Sequence, residues 1–363
     1  MIKAREEIKN IIPYVPGRPI ADVQKEYGLE NVIKLASNEN PFGTSEVVKK
    51  ALVDYINGGL NIYPDGNATD LKEKLSETLK LSPENLLITN GGDEALTLIA
   101  QTYINPTDEV ILSEYTFTRY TDSSTIMGAK INFVPMKSYR YDLDGILNRI
   151  NENTKLIWVC NPNNPTGTLL TEKEVLNFLN KVPKHILVVY DEAYVEFAES
   201  EDAIKDAYNL FKEYPNVITV KTFSKIYGLA GLRVGYLVGQ PDIIANINKV
   251  RGPFNCNVLG QLAAINALDD KAFLKKVYEN NLKGKKYLYE VLDKLSLPYC
   301  KSQTNHIFFE TPMIDSKTLF EEMQKRGVII RPMKGNYSRV SIGTMEENQE
   351  FAKTLVEVIQ NFK

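Results

Sequence analysis

Short apolar runs alternate with helical patterns along the middle of the chain. From Leu86 to about Val250, LLIT is followed by DEALTLIAQTY, EVIL by a stretch reaching Met127, and KLIWVC by TEKEVLNFLNKV. The runs Ile186-Leu187-Val188-Val189 and Val217-Ile218-Thr219-Val220 are apolar almost throughout, as strands covered on both faces of a parallel sheet are. Strands separated by amphipathic helices predict βαβ units, hence an α/β fold with a mainly parallel, doubly wound sheet and helices on both faces.

After about Asn255 the texture changes. Long helical patterns, Gln261 to Lys294 and Ser316 to Arg326, are interrupted by the short strand-like pieces HIFFE, VIIRPM and SRVSIG, which predicts a smaller α+β unit. The first 30 or so residues, with Pro13, Pro16, Gly17 and Pro19, are too broken to form a core and are expected to lie across the smaller unit. The expected division is an N-terminal segment of residues 1–30, a large domain of 31–255 and a small C-terminal domain of 256–363. No Gly/Ser-rich or Pro-rich linker separates them, and no internal repeat or low-complexity segment occurs.

Composition narrows the function classes. A net charge of −3 over 363 residues, without a dense Lys/Arg stripe, gives no field for a nucleic-acid backbone. The N-terminal stretch carries charges and prolines where a signal peptide needs an apolar core, and no apolar run is long enough to span a membrane, so a soluble, cytoplasmic protein is expected. Three scattered cysteines, Cys160, Cys256 and Cys300, suit core thiols in a reducing compartment. With only His185 and His306 in the chain, Ser-His-Asp hydrolysis and His-rich zinc sites have few candidates, and no metal is expected.

Candidate chemistry clusters at predicted carboxyl ends of strands, the edge where ligands of open α/β sheets bind. Lys225 follows the strand at 217–220; an amine there can form a Schiff base if desolvation or nearby cations lower its pKa, although one lysine among 43 basic residues reads equally as a surface charge. Thr222 and Ser224 offer hydroxyls beside it, and Arg233, eight residues on, offers a fork for phosphate oxygens. The Gly91-Gly92-Asp93 sequence after LLIT puts free backbone N–H groups at a helix start, which serves either an anion or an ordinary Asp-capped turn. Asp191 ends a strand and can either pair with a protonated pyridine nitrogen or cap the next turn; Tyr194, one of 20 tyrosines, can donate to a phenolic oxygen. The rigid turn NPNNPTG (161–167) can present the Asn164 amide to the same oxygen, or be a plain β-to-α loop. The coincidence at strand ends of NPNNPTG, of Asp191 with Tyr194, and of Ser224-Lys225 with Arg233 eight residues on reads as a pyridoxal phosphate site.

These residues resemble the fold type I pyridoxal-phosphate aminotransferases, most closely the histidinol-phosphate aminotransferase branch. The resemblance covers nearly the whole chain: PYVPG (13–17), LASNENPFG (35–43), YPDGNATDLKEKL (63–75), NGGDEAL (90–96), NPNNPTG, VVYDEAY, TFSKIYGLAGLRVG, RGPFNCN (251–257) and SRVSIGT (338–344). It implies that Lys225 carries the cofactor covalently and acts as general base, and that Asp191 faces the pyridine nitrogen. It assigns Asn164 and Tyr194 to the phenolic oxygen, Phe117 to stacking on the ring, and Gly92, Asp93 (through its backbone amide), Thr222, Ser224 and Arg233 to the phosphate. Tyr63 is implied to reach the phosphate of a neighbouring subunit, hence a homodimer with shared sites. Arg339 is implied to receive the substrate's anionic group, with Arg331 a second candidate and Tyr14 and Asn38 on the substrate side. The implied substrates are histidinol phosphate and glutamate or 2-oxoglutarate.

Two departures stand out: Tyr115-Thr116-Phe117 replaces the usual Pro-Thr-aromatic, and the connection PMKGNYS between Arg331 and Arg339 is short. The second borders the substrate pocket and leaves the amino donor open. Aromatic amino acid transamination and threonine-phosphate decarboxylation are the related alternatives. A cofactor-binding regulator would need a DNA-binding domain that does not fit before Pro13, and a nicotinamide dehydrogenase would need a GxGxxG after a strand.

Overall fold

The structure is a computed structural model that describes residues 2–9, 11–13 and 17–362. Its strands in chain order are β1 (Ile33–Lys34), β2 (Leu86–Thr89), β3 (Glu109–Ser113), β4 (Lys130–Val134), β5 (Thr154–Cys160), β6 (Leu187–Asp191), β7 (Val217–Thr222), β8 (Gly235–Val238), β9 (His306–Glu310), β10 (Val328–Ile329), β11 (Arg331–Pro332) and β12 (Tyr337–Ser341). Strands β2 to β8 form one seven-stranded sheet in the order β2-β8-β7-β6-β5-β3-β4. The pairs among β3, β4, β5, β6 and β7 are parallel, and β8 runs antiparallel to both its neighbours. The expected α/β, mainly parallel sheet is present.

Both faces of this sheet are covered, which is why its central strands are apolar without alternation. Leu187, Val189, Trp158, Ile218 and Val220 pack with Ala95, Leu96 and Ile99 of the helix Gly91–Tyr103 on one face. Val188, Tyr190, Ile157, Val159 and Val217 pack with Val175, Phe178 and Leu179 of the helix Glu172–Leu179 on the other. Side chains alternate along each strand, so Cys160, Asp191 and Thr222, the last residues of β5, β6 and β7, continue the face of Trp158, Val189 and Val220. Because β8 is reversed, it begins at the edge where the others end, and its first residue, Gly235, lies opposite both Thr222 and Thr89. The residues just before Gly235, Arg233 among them, are thereby delivered to the same edge.

A second sheet, β11-β12-β9, is antiparallel and packs with the helices Lys271–Leu295, Ser316–Gln324 and Met345–Gln360 through Phe309, Val340, Leu288, Leu319 and Phe351. Strand β1 pairs in parallel with β10, and Leu35 joins the same core. By packing, residues 33–36 go with the C-terminal sheet, while the helix Val258–Asp269 lies against helices of the larger sheet through Ala263, Ala264 and Ala267.

The pattern from Gln261 to Lys294 is two helices rather than one. They meet at Asp270, whose carboxylate accepts from Phe273 N at 3.0 Å and caps the second. VIIRPM likewise divides at Ile330 into β10 and β11, which pair with different strands. In the N-terminal stretch the segment Ile20–Tyr27 is helical and buries Val23 against Ala36 and Ile329. Among the described residues no helix is long and apolar enough to cross a membrane.

Candidate active site

A cavity of about 490 Å³ opens at the carboxyl edge of the large sheet, within the range of small-molecule sites. Its walls hold Asn38, Gly92, Asp93, Phe117, Asn164, Asp191, Tyr194, Thr222, Ser224, Lys225, Arg233 and Arg339. These are twelve of the fifteen residues singled out from the sequence. The exceptions are Tyr14, which lies outside the described residues, and Tyr63 and Arg331, which do not line it.

At one end of the cavity the groups suit an anion. The helix Gly91–Tyr103 begins there with its unpaired N–H groups, and Gly91 holds φ +77. A Cβ at Gly91 would lie 2.5 Å from Arg233 Nη2, so glycine is what lets the guanidinium close over the helix start. Arg233 Nη1 donates to Ser224 Oγ at 3.4 Å and Nη2 to the Asp93 carboxylate at 3.5 Å, while Thr222 Oγ1 accepts from Ser224 N at 3.1 Å. Cation, hydroxyls and helix N-terminus converge on one spot.

Deeper in, Asp191 is 5 % exposed. Its Oδ2 accepts from Tyr120 Oη at 2.7 Å and its Oδ1 from Ala193 N at 2.9 Å. Burial pushes its pKa up, against the hydrogen bond from Tyr120 and the charge of Lys225. Lys225 Nζ donates to the Ser37 carbonyl at 3.4 Å and sits 5.5 Å from the centre of the Tyr194 ring. Burial, then the nearby Arg339 and Arg233 charges, bring its amine down to about 8, with Glu39 and Asp93 opposing. The lysine is thus the desolvated, cation-flanked amine that its chemistry requires.

The far wall joins the two sheets. Tyr194 Oη accepts from Asn38 Nδ2 at 2.9 Å, and burial raises this phenol to about 12, so it stays protonated and can donate onward. Asn38 is held at φ 56 and accepts from Ser341 Oγ at 3.0 Å through its own amide oxygen. Arg339 reaches back from β12, donating to Asn164 Oδ1 and to the Ala36 carbonyl, both at 2.6 Å. With its oxygen taken, Asn164 has its NH2 end to offer a phenolate. Of the other asparagines in the turn, Asn161 bonds Leu170 and Asn163 bonds Tyr115 and Thr166, so they serve the loop itself. Arg331 lies opposite Arg339 in the β11–β12 pair, which puts both side chains on one sheet face.

Sequence reasoning missed Ser37, Glu39, Arg119, Tyr120 and Cys160, which also line the cavity. Tyr120 had a signal, three residues past Phe117 on a helical pattern, but its partner Asp191 is 71 positions away. His306, noted only beside an apolar run, packs edge-on against Tyr194 at 5.2 Å, and burial with the Arg339 and Lys225 charges keeps it neutral. Tyr63 is 77 % exposed and stacks on Phe254 at 4.6 Å.

Comparison with known proteins agrees with this geometry. Residues 30–355 match the family described as aminotransferase class I and II. A histidinol-phosphate aminotransferase of Caldicellulosiruptor saccharolyticus is 44% identical over 359 residues, 98% of this chain and 99% of that one. One of Bacillus velezensis is 42% identical over 365 residues, covering 99% and 100%. The crystal structure of histidinol-phosphate aminotransferase from Sinorhizobium meliloti in complex with pyridoxal-5'-phosphate superposes with a TM-score of 0.92 at 28% identity, over 100% of this chain and 99% of that one. Aspartate aminotransferase from Thermus thermophilus, at 22% identity and a TM-score of 0.86, shares the fold. The chain belongs to the class I and II aminotransferases, within their histidinol-phosphate aminotransferase group.

Proposed function

We propose that the protein transfers an amino group reversibly between histidinol phosphate and 2-oxoglutarate, giving imidazole acetol phosphate and glutamate, as a step of histidine biosynthesis in the cytoplasm. The observation that carries this is one cavity holding a desolvated lysine and a buried carboxylate, with an arginine at each end, Arg233 beside the helix start and Arg339 from the second sheet.

The residues present fit pyridoxal phosphate. Arg233, Ser224, Thr222 and the N–H groups of Gly92 and Asp93 form a cradle for a phosphate that a Cβ at Gly91 would crowd. Asp191 would accept from the pyridine nitrogen, Asn164 and Tyr194 would donate to the phenolic oxygen, and Phe117 offers a ring to stack on the cofactor. When bound, the cofactor supplies an electron-poor ring that takes up the electron pair left on the substrate's α-carbon.

Lys225 has two tasks. Its amine would hold the cofactor and would be the group placed to carry the proton from the α-carbon; in the cofactor-free site its pKa of about 8 leaves it neutral in a useful fraction of molecules near pH 7. Arg339, fixed by Asn164 and Ala36, presents its guanidinium to a carboxylate or a phosphate. A site that accepts either anion lets glutamate and histidinol phosphate take turns, as a ping-pong transfer requires. Asn38, Arg331 and Tyr14 stand as further substrate contacts.

The exposed apolar residues Val53, Ile56, Leu60, Ile62, Tyr63 and Phe254 form the surface we assign to a homodimer, in which Tyr63 would complete the partner's phosphate site. The substrate assignment is tested by steady-state comparison of histidinol phosphate with phenylalanine and tyrosine as donors. A higher kcat/KM for histidinol phosphate is expected; preference for the free aromatic amino acids would make the protein an aromatic aminotransferase, and carbon dioxide release from threonine phosphate would make it a decarboxylase.

A further inference from the structure

Tyr120 is fully buried, and its position is fixed from several sides. Its ring lies parallel to Trp158, with centroids 5.0 Å apart, and meets the Phe117 ring edge-on at 5.7 Å. Trp158 Nε1 donates to Ser124 Oγ at 3.0 Å, and Ser124 Oγ donates to the Tyr120 carbonyl at 2.8 Å. Stack and hydrogen bonds together set the phenol so that its Oη meets Asp191 Oδ2 at 2.7 Å. The other oxygen, Oδ1, is held by Ala193 N. Each carboxylate oxygen therefore has one protein donor, which fixes the plane of the group and leaves its remaining lone pairs for a ligand.

We propose that Tyr120 is a positioning residue that sets the basicity of Asp191 toward the ring nitrogen of the cofactor, and so the cationic character of the ring. This rests on the assignment of Asp191 to that nitrogen. A phenol hydrogen bond withdraws electron density from the carboxylate and stabilises its ionised form, so the shared proton stays on the nitrogen. Without that bond, a carboxylate buried among apolar groups draws the proton to itself, and the ring loses positive charge. Burial holds the Tyr120 phenol well above its usual range, so Tyr120 remains a donor and does not compete as an acid. The titratable groups around Asp191 are the Cys160 thiol and the Tyr141 and Tyr194 phenols, all three raised by burial, with Asp93, Glu192 and Lys225 from the adjoining segments.

The test compares Tyr120→Phe, which keeps the ring on Trp158, with Asp191→Asn. For each, the cofactor dissociation constant of the apoprotein and the pH midpoint of the bound cofactor's visible band are measured with kcat and KM. Less positive charge on the ring raises the midpoint; for Tyr120→Phe a rise of about one unit, about tenfold weaker cofactor binding and a lower kcat at unchanged KM are expected. Replacement of Tyr120 by 3-fluorotyrosine, a stronger donor of the same shape, is expected to shift the midpoint downward, which a purely structural role would not do. If Asp191→Asn moves midpoint and affinity while neither Tyr120 replacement does, the role of Tyr120 is overturned. If Asp191→Asn moves neither, the underlying assignment of Asp191 fails. Should Tyr120→Phe not fold, the fluorotyrosine protein decides alone: no downward shift overturns the proposal.

Discussion

At the scale of single residues, the site depends on Lys225 giving up its proton more readily than an ordinary lysine. Desolvation alone favours the neutral form, and Arg339 and Arg233 add to it by repulsion. As pH rises through about 8, rather than through the ordinary lysine range, the neutral fraction of Lys225 grows. Competitive labelling of the cofactor-free protein with an amine-reactive reagent should give a reactivity midpoint near this value at Lys225 and higher midpoints at exposed lysines. Arg339→Gln should move the Lys225 midpoint upward, though not fully, because burial is the larger cause. A midpoint for Lys225 equal to that of surface lysines would contradict the tuning. Lys225 was legible from its place after an apolar strand. Its flanking by Arg339 was not, because that arginine comes from the second sheet, 114 positions later.

At the scale of elements, the large sheet gathers the chemistry by register. Cys160 pairs with Asp191 and Asp191 with Val220, so alternation alone puts the ends of β5, β6 and β7 on one face beside the helix that starts at Gly91. The approach of Arg233 to that helix is tight. Gly91→Ala would combine a strained positive φ with a Cβ 2.5 Å from Nη2, which should cost about 1–3 kcal/mol of stability and displace the guanidinium. Thermal unfolding and cofactor titration of this variant check it together; unchanged cofactor affinity would mean that Arg233 does not close the cradle. Strands buried on both faces were readable as apolar runs. By contrast, β4 went unseen because it is the edge strand, with Lys130 and Phe133 exposed and Asn132 polar. Strand β8 starts only at Gly235, the last residue of the TFSKIYGLAGLRVG motif, and is four residues long, and the two-residue β1 carries no periodicity. The break at Asp270 was missed because helical spacing resumes at once on its far side.

At the scale of the whole molecule, two sheets meet over one cavity, and the residue expected to complete it lies on the outer surface. The exposure of Tyr63, stacked on the likewise exposed Phe254, is what a site shared between subunits would need. Refolding an equal mixture of the Lys225→Ala and Tyr63→Ala chains tests this. Shared sites should restore about a quarter of wild-type activity, because half of random dimers contain one intact site of two; an activity no higher than the average of the two variants alone would mean each chain builds its site by itself. The chemistry of the cavity was readable before the fold, since its motifs are local, whereas the surroundings of Arg339 are assembled from Ala36, Asn164 and β12, which lie far apart in the chain. The most direct test is therefore a visible-absorption titration of the purified holoprotein, first with glutamate and then, after reoxidation by 2-oxoglutarate, with histidinol phosphate. Each donor is expected to discharge the cofactor band to the same end point, and 2-oxoglutarate to restore it. A band that glutamate discharges but histidinol phosphate leaves unchanged would contradict it.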